Sequence, residues 1–340
     1  MGEFDLIDRF FKQKVAPALA GQAPAAPENI VLGIGDDCAL LQPAPGQQLA
    51  VSTDMLVEGR HFLPDVDPAA LGHKALAVNL SDLAAMGAEP LAFTLALALP
   101  PERAQDAAWL QALSDGLLAL AAAHRCPLVG GDTTAGPLNL CVTVFGQVPA
   151  GQALRRSGAR AGDELWVSGT LGDARLALDA LQGRIALSPD ALAAARQRLE
   201  RPTPRLALGR ALRGIATSAI DLSDGLLGDV GHILAASRVG ASIEADVATD
   251  LIAACANLES AEAPFDSKYR RRLALAGGDD YELAFTAPPT ARAAVLQASQ
   301  QATTPVTRIG RIEAAPGLRL ANPQGQSLDT APFRSFDHFL

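Results

Sequence analysis

The chain has 340 residues, 49% of them hydrophobic and only 4% aromatic, and its formal net charge is −9. Because a single hydrophobic core rarely grows beyond about 250–300 residues, this length predicts two domains. Only four residues are lysine, so the sequence lacks the basic stripe that a nucleic-acid-binding surface needs.

Elements predicted in the first half alternate between strands and helices, which is typical of an α/β sheet with helices on one face. They are an amphipathic helix over 1–14, strands over 30–37 and 47–54, a helix over 68–88, a strand over 91–99, a helix over 102–125, and strands over 127–132 and 139–148. Pro68 and Gly87 suit the first turn and the stop of the clearest helix.

One alternating series of strands and helices ends around Pro149 and another begins. This predicts a first domain over 1–149 and a second over 150–340. Alanine- and leucine-rich helices fill much of the second domain. Its other predicted elements are strands over 163–169, 218–224, 281–287 and 306–312 and a helix over 226–237.

Cysteine usage and the apolar segments bear on cellular location. Cys38, Cys126, Cys141 and Cys255 form no C-x-x-C motif, so we expect small buried residues in a reducing compartment. The N-terminal segment lacks the apolar stretch of a signal peptide, and the longest apolar strip, 91–99, is too short to span a membrane. We therefore expect a cytoplasmic protein with no membrane or nucleic-acid partner.

Aspartate recurs beside glycine or serine, mostly after a predicted strand. The instances are GIGDD (33–37), STD (52–54), NLSD (79–82), GGDTT (130–134), IDLSDG (220–225) and GGDD (277–280). One such aspartate is usually a turn former or a helix N-cap, but six instances favour a common site at strand ends. Asp82 lies well inside the predicted 68–88 helix, where aspartate is a poor helix former; the alternative is a solvated helix face.

Converging carboxylates would repel one another unless cations lay between them. The residues in question are Asp37, Asp54, Asp82, Asp132, Asp221 and Asp224. No cluster of cysteine or histidine suits zinc, whereas oxygen ligands suit Mg²⁺, which binds carboxylates together with phosphate oxygens. The chain has no Walker A loop, no H-R-D or D-F-G and no complete G-x-G-x-x-G. The pattern thus predicts a nucleotide phosphoryl-transfer site of another kind.

Taken together and in this order, the motifs resemble those of the thiamine-monophosphate kinase family, in the superfamily of aminoimidazole ribonucleotide synthetase and selenophosphate synthetase. They are GIGDDCALL, STDMLVEGRHF, HKALAVNLSDLAAMGA, GGDTT, LRRSGA, SAIDLSDGL, GGDDYEL and the terminal FDHF, between residues 33 and 339. Each motif is weak by itself, but the set covers nearly the whole chain. VEGRHF and DHF separate this family from its superfamily relatives.

The resemblance implies a two-domain synthetase-like α/β (α+β) fold. The N-terminal domain would bind ATP and Mg²⁺ and dimerise, its sheet forming an intersubunit barrel in a homodimer, with ATP in a cleft near that interface. The C-terminal domain would be a synthetase-like α/β domain. The implied reaction is direct in-line transfer of the γ-phosphoryl group of ATP to thiamine monophosphate, which yields thiamine diphosphate.

The resemblance also implies site residues, position by position. Mg²⁺ binding is implied for Asp37, Ser52, Thr53, Asp54, Asp82, Asp132, Asp221 and Asp224. ATP contacts are implied for Gly131, Asp132, Arg156 and Ser223, and thiamine-side contacts for His61, Asp279 and Phe336. The family more often has glutamate where this chain has Asp279. Asp36 is left out of the metal set because it could equally cap the turn.

The acceptor in such a reaction is a phosphate monoester, whose second pKa of about 6 makes it largely a dianion at neutral pH. We therefore expect no general base; positioning and charge neutralisation, by Mg²⁺ and Arg156, would supply most of the rate. Simpler interpretations are a surface turn for Arg156, an ordinary half-buried ring for His61 and a C-terminal anchor for Phe336. For Cys38 packing is preferred over a nucleophilic role.

Two other functions stay open. One is a related ATP-dependent synthetase of the same superfamily that acts on another small substrate, although VEGRHF does not support it. The other is a non-catalytic regulator that binds ATP with Mg²⁺ without turnover. The kinase interpretation is preferred, because a site that had lost its catalytic function would have no physical reason to keep a repulsive cluster of carboxylates.

Overall fold

The computed structural model describes residues 2–14, 29–34, 37–252, 266–322 and 324–333. The chain divides into two compact units. Unit 1 comprises Met1–Leu83 and Ala88–Gly151, and unit 2 comprises Ala84–Gly87 and Gln152–Leu340. Among the described helices, none is both long and apolar enough to cross a lipid bilayer.

The elements of the first 151 residues, within the described part, are four α-helices and six strands. They are α1 (Glu3–Ile7, continued by the π-helical turn Asp8–Lys12), β1 (Ile30–Leu32), β2 (Leu40–Leu41), β3 (Gln47–Val57), α2 (Pro68–Ala85), β4 (Glu89–Leu99), α3 (Pro101–Gln105), α4 (Ala107–Ala123), β5 (Leu128–Ala135) and β6 (Asn139–Pro149).

Two sheets form from these strands. β1 and β2 pair antiparallel with each other, and the larger sheet has the order β3-β6-β4-β5. In that sheet β6 is antiparallel to both neighbours, whereas β4 and β5 are parallel. A parallel pair needs a crossover connection, and α3 and α4 provide it. The α/β character predicted from the alternating pattern is confirmed.

Helices α2 and α4 approach each other closely through two glycines. A Cβ on Gly72 would lie 2.0 Å from the Leu113 carbonyl oxygen, and one on Gly116 would lie 1.9 Å from the Ala69 carbonyl oxygen. Both contacts are with backbone, so neither position has room for a side chain. Leu83 of α2 lies against β6, since a Cβ on Gly146 would be 2.8 Å from Leu83 Cδ2. The helix therefore contacts both the sheet and α4.

The opposite face of β3 is apolar and exposed. Leu49, Val51 and Met55 alternate along the strand and are 47%, 55% and 50% exposed. Thr53 lies in the same row, with its Oγ1 2.8 Å from Oγ1 of Thr143 on β6. The described helices thus cover one face of this sheet, as expected, and they leave Leu49, Val51 and Met55 of β3 exposed on the other face.

Some predicted boundaries were wrong. The strand predicted to end at Asp54 continues to Val57, and the strand predicted to end at Asp132 continues to Ala135. The single helix predicted over 102–125 is two helices. They separate at Asp106, whose carboxylate accepts hydrogen bonds from the N–H groups of Ala108 and Trp109 at 3.1 and 2.9 Å. A side-chain acceptor of this kind starts a new helix.

Unit 2 continues with seven strands and seven α-helices in its described residues. They are β7 (Glu164–Ser168), α5 (Asp173–Leu181), α6 (Pro189–Glu200), α7 (Leu206–Ala211), β8 (Ser218–Asp221), α8 (Leu226–Ser237), β9 (Gly240–Glu244), α9 (Ala245–Thr249), α10 (Ser267–Ala276), β10 (Leu283–Ala287), α11 (Arg292–Gln301), β11 (Val306–Glu313), β12 (Gly317–Ala321) and β13 (Ser327–Leu328).

The strands of unit 2 form one sheet in the order β13-β12-β9-β11-β7-β10-β8. Only β12 and β9 run parallel among its described pairs; the others are antiparallel. In an antiparallel pair, the carboxyl end of one strand lies beside the amino end of the next. Because Leu283 pairs with Asp221, the segment after β8 and the segment before β10 meet at one edge.

Candidate active site

Ser52 and Asp82 are brought together in unit 1. Ser52 Oγ on β3 donates a hydrogen bond to Asp82 Oδ2 on α2 across 2.5 Å. Asp82 is half-buried, and its neighbours on the helix, Ser81 and Leu83, are 0% and 1% exposed. The alternative of a solvated helix face is therefore wrong. A carboxylate held in a mostly apolar helix layer needs a polar partner, and the strand supplies one.

Asp54 lies two residues after Ser52, so both side chains belong to the face of β3 that meets α2. The backbone N–H of Asp54 donates to Asn79 Oδ1 on α2 at 3.0 Å. Asp54 is half-buried. We call Ser52, Asp54 and Asp82 the strand–helix group.

Asp132 belongs to the other face of the sheet. The register aligns Asp132, Ala96, Cys141 and Met55 in one row, next to a row formed by Gly131, Leu95, Val142 and Asp54. Cross-strand partners share a face and successive residues alternate, so Thr53 and Asp132 point away from the strand–helix group. Asp132 is exposed. A Cβ on Gly131 would lie 1.9 Å from the Leu95 carbonyl oxygen, so this glycine permits close strand pairing.

Asp37 and Cys38 lie in the loop between β1 and β2, and both are exposed. The packing role expected for Cys38 is therefore wrong. Cys126 is buried, as expected. Asp36 and Cys255 lie outside the described residues, as does Gly35 of the same loop.

His61 is held in a tight turn after β3. Its Nδ1 accepts the Val57 N–H at 3.0 Å, and its own backbone N–H donates to the Val57 carbonyl at 3.0 Å. Because Nδ1 is an acceptor, the ring proton is on Nε2. The half-buried ring therefore has a fixed orientation with one donor nitrogen.

Two motifs of unit 2 form a second group at the edge where β8 ends and β10 begins. The N–H of Asp279 donates to the Ser223 carbonyl at 2.8 Å, and the N–H of Tyr281 donates to the Leu222 carbonyl at 2.8 Å. Asp221 is buried, and Ser223 and Asp224 are half-buried. We call the residues 221–225 and 277–281 the paired loops.

The backbone of the paired loops is strained. Asp279 has φ +60° and Tyr281 has φ +48°, both in the left-handed region that glycine adopts more readily. Strain of this type persists only where the surroundings hold the backbone in place, and it is concentrated at functional sites. The backbone bonds to Leu222 and Ser223 are such restraints.

Asp229, which sequence reasoning missed, holds the first of the paired loops. Its Oδ2 accepts the N–H groups of Asp224 and Gly225, each at 3.1 Å. Burial, and then the charge of Asp224, raise the pKa of Asp229 to about 7. The signal available in the sequence was an acid in the first turn of α8, which usually indicates only a helix start.

Behind the second loop lies a buried ionic network that the sequence did not reveal either. Glu282, which is 0% exposed, pairs with Arg198 at 2.6 Å and with Arg205 at 2.5 Å. Ser168 Oγ also donates to Glu282 at 2.6 Å. The neighbouring Asp280 accepts the Gly172 N–H at 2.8 Å. The partners are far apart in sequence, so no local pattern could have predicted them.

Arg156 is exposed, and its carbonyl accepts a hydrogen bond from Ser237 Oγ at 3.1 Å. Phe336 lies outside the described residues. No three His, Cys, Asp or Glu side chains form a group able to hold a metal ion among the residues that the structure describes. The strand–helix group nevertheless has the right chemistry for Mg²⁺, because it offers carboxylate and hydroxyl oxygens and neither nitrogen nor sulfur.

Two family models match the chain. Residues 35–148 match the N-terminal domain of the AIR synthase related proteins, and residues 160–321 match their C-terminal domain. The chain therefore has the two-domain α/β fold of that superfamily.

Its relatives define the family more closely. The chain is 46% identical to the thiamine-monophosphate kinase of Salmonella typhimurium, over 99% of this chain and 98% of the relative. The crystal structure of thiamine-monophosphate kinase from Stenotrophomonas maltophilia is 45% identical, with a TM-score of 0.81, over 96% of this chain and 98% of that one. A structure of AaThiL complexed with AMPPCP and TMP is 27% identical, with a TM-score of 0.71, over 99% and 97% of the two chains.

The chain belongs to the thiamine-monophosphate kinase family, whose named members are phosphotransferases. This confirms the resemblance drawn from the motifs.

Proposed function

We propose that the chain transfers the γ-phosphoryl group of ATP directly, in line, to thiamine monophosphate and so forms thiamine diphosphate and ADP. The observation that carries this proposal is the 46% identity to a thiamine-monophosphate kinase over 99% of the chain. Further support comes from the related structure that holds AMPPCP and TMP.

The chemistry is consistent with the residues. Because the acceptor phosphate is already largely ionised, with a second pKa of about 6, the reaction requires no base. Its barrier is the approach of two anions, which positioned cations lower. Rigid placement of the reacting groups therefore contributes more than proton transfer, and the strained, doubly held backbone of the paired loops suits that task.

We propose eight Mg²⁺-binding residues. They are Asp37, Ser52, Thr53, Asp54, Asp82, Asp132, Asp221 and Asp224. The strand–helix group is the best supported part, because Ser52 and Asp82 already touch and Asp54 shares their face. When bound, Mg²⁺ would neutralise phosphate charge and orient the γ-phosphoryl group.

The remaining residues are proposed to contact the substrates. Gly131, Asp132, Arg156 and Ser223 would contact ATP, and His61, Asp279 and Phe336 would contact thiamine monophosphate. The exposed Arg156 guanidinium can bind two phosphate oxygens at once. The oriented Nε2–H of His61 and the restrained Asp279 offer a donor and an acceptor in fixed places.

The expected homodimer is part of the proposal, with the sheet of unit 1 forming a barrel with that of a second copy. The exposed row of Leu49, Val51 and Met55 supports it, because an uncovered apolar sheet face is typical of an interface. Unit 1 would then contribute dimerisation together with ATP and Mg²⁺ binding. We propose the cytoplasm as the location.

A coupled ATP assay tests the activity. Purified protein with ATP and Mg²⁺ should form thiamine diphosphate from thiamine monophosphate and should not phosphorylate thiamine or unrelated phosphomonoesters. An Asp54→Asn variant, purified identically, reveals any contaminating kinase and should lose at least the roughly 10–100-fold in rate that removing the partner of a metal ligand typically costs. Absence of product at saturating substrate would contradict the proposal.

A further inference from the structure

Asn79 is a buried amide in the middle of α2. It is 0% exposed and lies one helical turn before Asp82. Its Nδ2 donates to the Ala75 carbonyl at 3.0 Å, while its Oδ1 accepts the Asp54 N–H at 3.0 Å. The first bond fixes which way the amide points, so the second presents an oriented acceptor to β3.

Within one protomer β3 is an edge of its sheet in the described order, and the Asp54 N–H is bonded to α2 and not to a neighbouring strand. An edge strand leaves every second N–H group without a strand partner. A buried N–H without an acceptor costs free energy comparable to a lost hydrogen bond. Asn79 satisfies this requirement at the residue that carries a proposed metal-binding carboxylate.

Two contacts thus join α2 to β3. Asn79 holds the backbone of Asp54, and Asp82 accepts the hydroxyl hydrogen of Ser52. The contacts are three residues apart on the helix and two apart on the strand, so they prevent the strand from sliding along the helix. Sliding by one residue would turn Asp54 to the opposite face of the sheet.

We propose that Asn79 is a positioning residue that sets the place of the Asp54 carboxylate relative to Asp82 for binding Mg²⁺. Asn79 is 0% exposed and both ends of its amide are hydrogen-bonded within the protein, so its role is assigned through Asp54 and not through direct contact with metal or substrate. This inference rests on the proposed function, because it assigns Asn79 a role toward the metal of that reaction. Groups that orient a ligand without touching the metal typically change metal affinity or activity by about 10–100-fold when they are removed.

The test compares Asn79→Ala with Asn79→Asp and with Ser114→Ala. Asn79→Ala removes the acceptor, whereas Asn79→Asp keeps an oxygen in its place. Ser114 on α4 is a matched control, since it is also 0% exposed in unit 1 but, among the described residues, bonds only to the Gln111 carbonyl and to Lys14.

Three quantities are measured: hydrogen exchange of the Asp54 amide, Mn²⁺ affinity by electron paramagnetic resonance with a non-hydrolysable ATP analogue, and kcat and KM. In Asn79→Ala we expect faster exchange, about 10-fold or greater weakening of Mn²⁺ binding and a matching fall in kcat. KM for thiamine monophosphate should change less than about twofold, because the substitution is expected to affect the metal site and not the binding of this substrate. Asn79→Asp keeps an acceptor for the Asp54 N–H but loses the donor to the Ala75 carbonyl, so its exchange should be slower than that of Asn79→Ala.

Equal behaviour of Asn79→Ala and Ser114→Ala in exchange, Mn²⁺ affinity and kcat would overturn the proposal. An Asp54 amide that exchanges in the wild type as fast as an exposed one overturns it as well, whether or not the variants fold. If the wild type has no kinase activity, the proposed function fails, while amide exchange and Mn²⁺ affinity still decide the role of Asn79.

Discussion

Asp280 is the clearest case of a side chain whose surroundings decide its chemistry. It is 3% exposed, and its Oδ1 accepts the Gly172 N–H at 2.8 Å while its Oδ2 has no hydrogen-bond partner in the described structure. Burial is the main cause that raises the pKa of Asp280 well above its ordinary value of 3.8. The carboxyl group between the strained loop and the Glu282 network therefore holds its proton to a higher pH than an ordinary aspartate does.

The free energy of unfolding should therefore depend on pH through the Asp280 carboxyl group. A group whose folded pKa exceeds its unfolded value stabilises the fold fully below the unfolded value, and that stabilisation is lost as pH rises toward the folded value. Asp280→Asn lacks the titrating group. Relative to wild type, the variant should gain stability by up to about 1.4 kcal/mol per pH unit between pH 5 and the folded pKa.

Urea denaturation of both proteins at several pH values between 5 and 8 measures this difference. Asparagine keeps the oxygen that accepts the Gly172 N–H, so the fold should survive. Parallel stability curves across the range would show that Asp280 is already ionised in the folded protein.

At the scale of elements, local signals predicted which segments form helices and strands better than where they end. The helix predicted over 226–237 has the observed bounds, Leu226–Ser237, and the 68–88 helix begins at Pro68 as expected. β3 and β5 extend beyond their aspartates because they pair along their length with β6 and β4. Partner strands are distant in sequence, so their effect on strand length has no local signal.

The contact between α2 and α4 yields a prediction at this scale. Gly116→Ala would place a Cβ 1.9 Å from the Ala69 carbonyl oxygen, so the helices must move apart. We expect a loss of about 1–3 kcal/mol in the free energy of unfolding, the usual cost of overpacking. Denaturant unfolding followed by circular dichroism measures it.

Gly231→Ala is the matched control, because Gly231 lies inside α8 with nothing within 4 Å of the added Cβ. Alanine there should stabilise by about 0.5–1 kcal/mol through helix propensity alone. If both substitutions shift stability in the same direction, the close approach of α2 and α4 is not a property of the protein in solution.

At the scale of the whole molecule, the antiparallel order of unit 2 explains how the motifs at 221–225 and 277–281 come together. Sequence reasoning placed most of the aspartates at the carboxyl ends of strands, and Asp221 does end β8. The antiparallel register places the segment before β10 beside that end. In unit 1 the register divides the proposed ligands between two sheet faces, with Asp54 on one and Asp132 on the other.

The proposed homodimer is tested through the exposed sheet face. Val51→Asp places a charge in the centre of the apolar row, at a residue that is 55% exposed. Burying an unpaired charge is costly, so the variant should be monomeric where the wild type has twice the chain mass of 35.2 kDa. Light scattering coupled to size exclusion measures both masses.

Leu296→Asp on α11 is the control, because Leu296 is a comparably exposed leucine, at 45%, in unit 2. It should leave the mass unchanged. A monomeric wild type, or a Val51→Asp variant that stays dimeric, would contradict the proposed interface.

By itself, the sequence determined the two-domain α/β class, the family and the set of candidate residues, since these depend on local pattern and motif order. Only the tertiary structure decided which residues meet. The pairing of Ser52 with Asp82, the acceptor from Asn79 and the network around Glu282 each join segments about 25 or more residues apart. Sheet register and helix packing bring such segments together, and neither is encoded in the spacing of nearby residues.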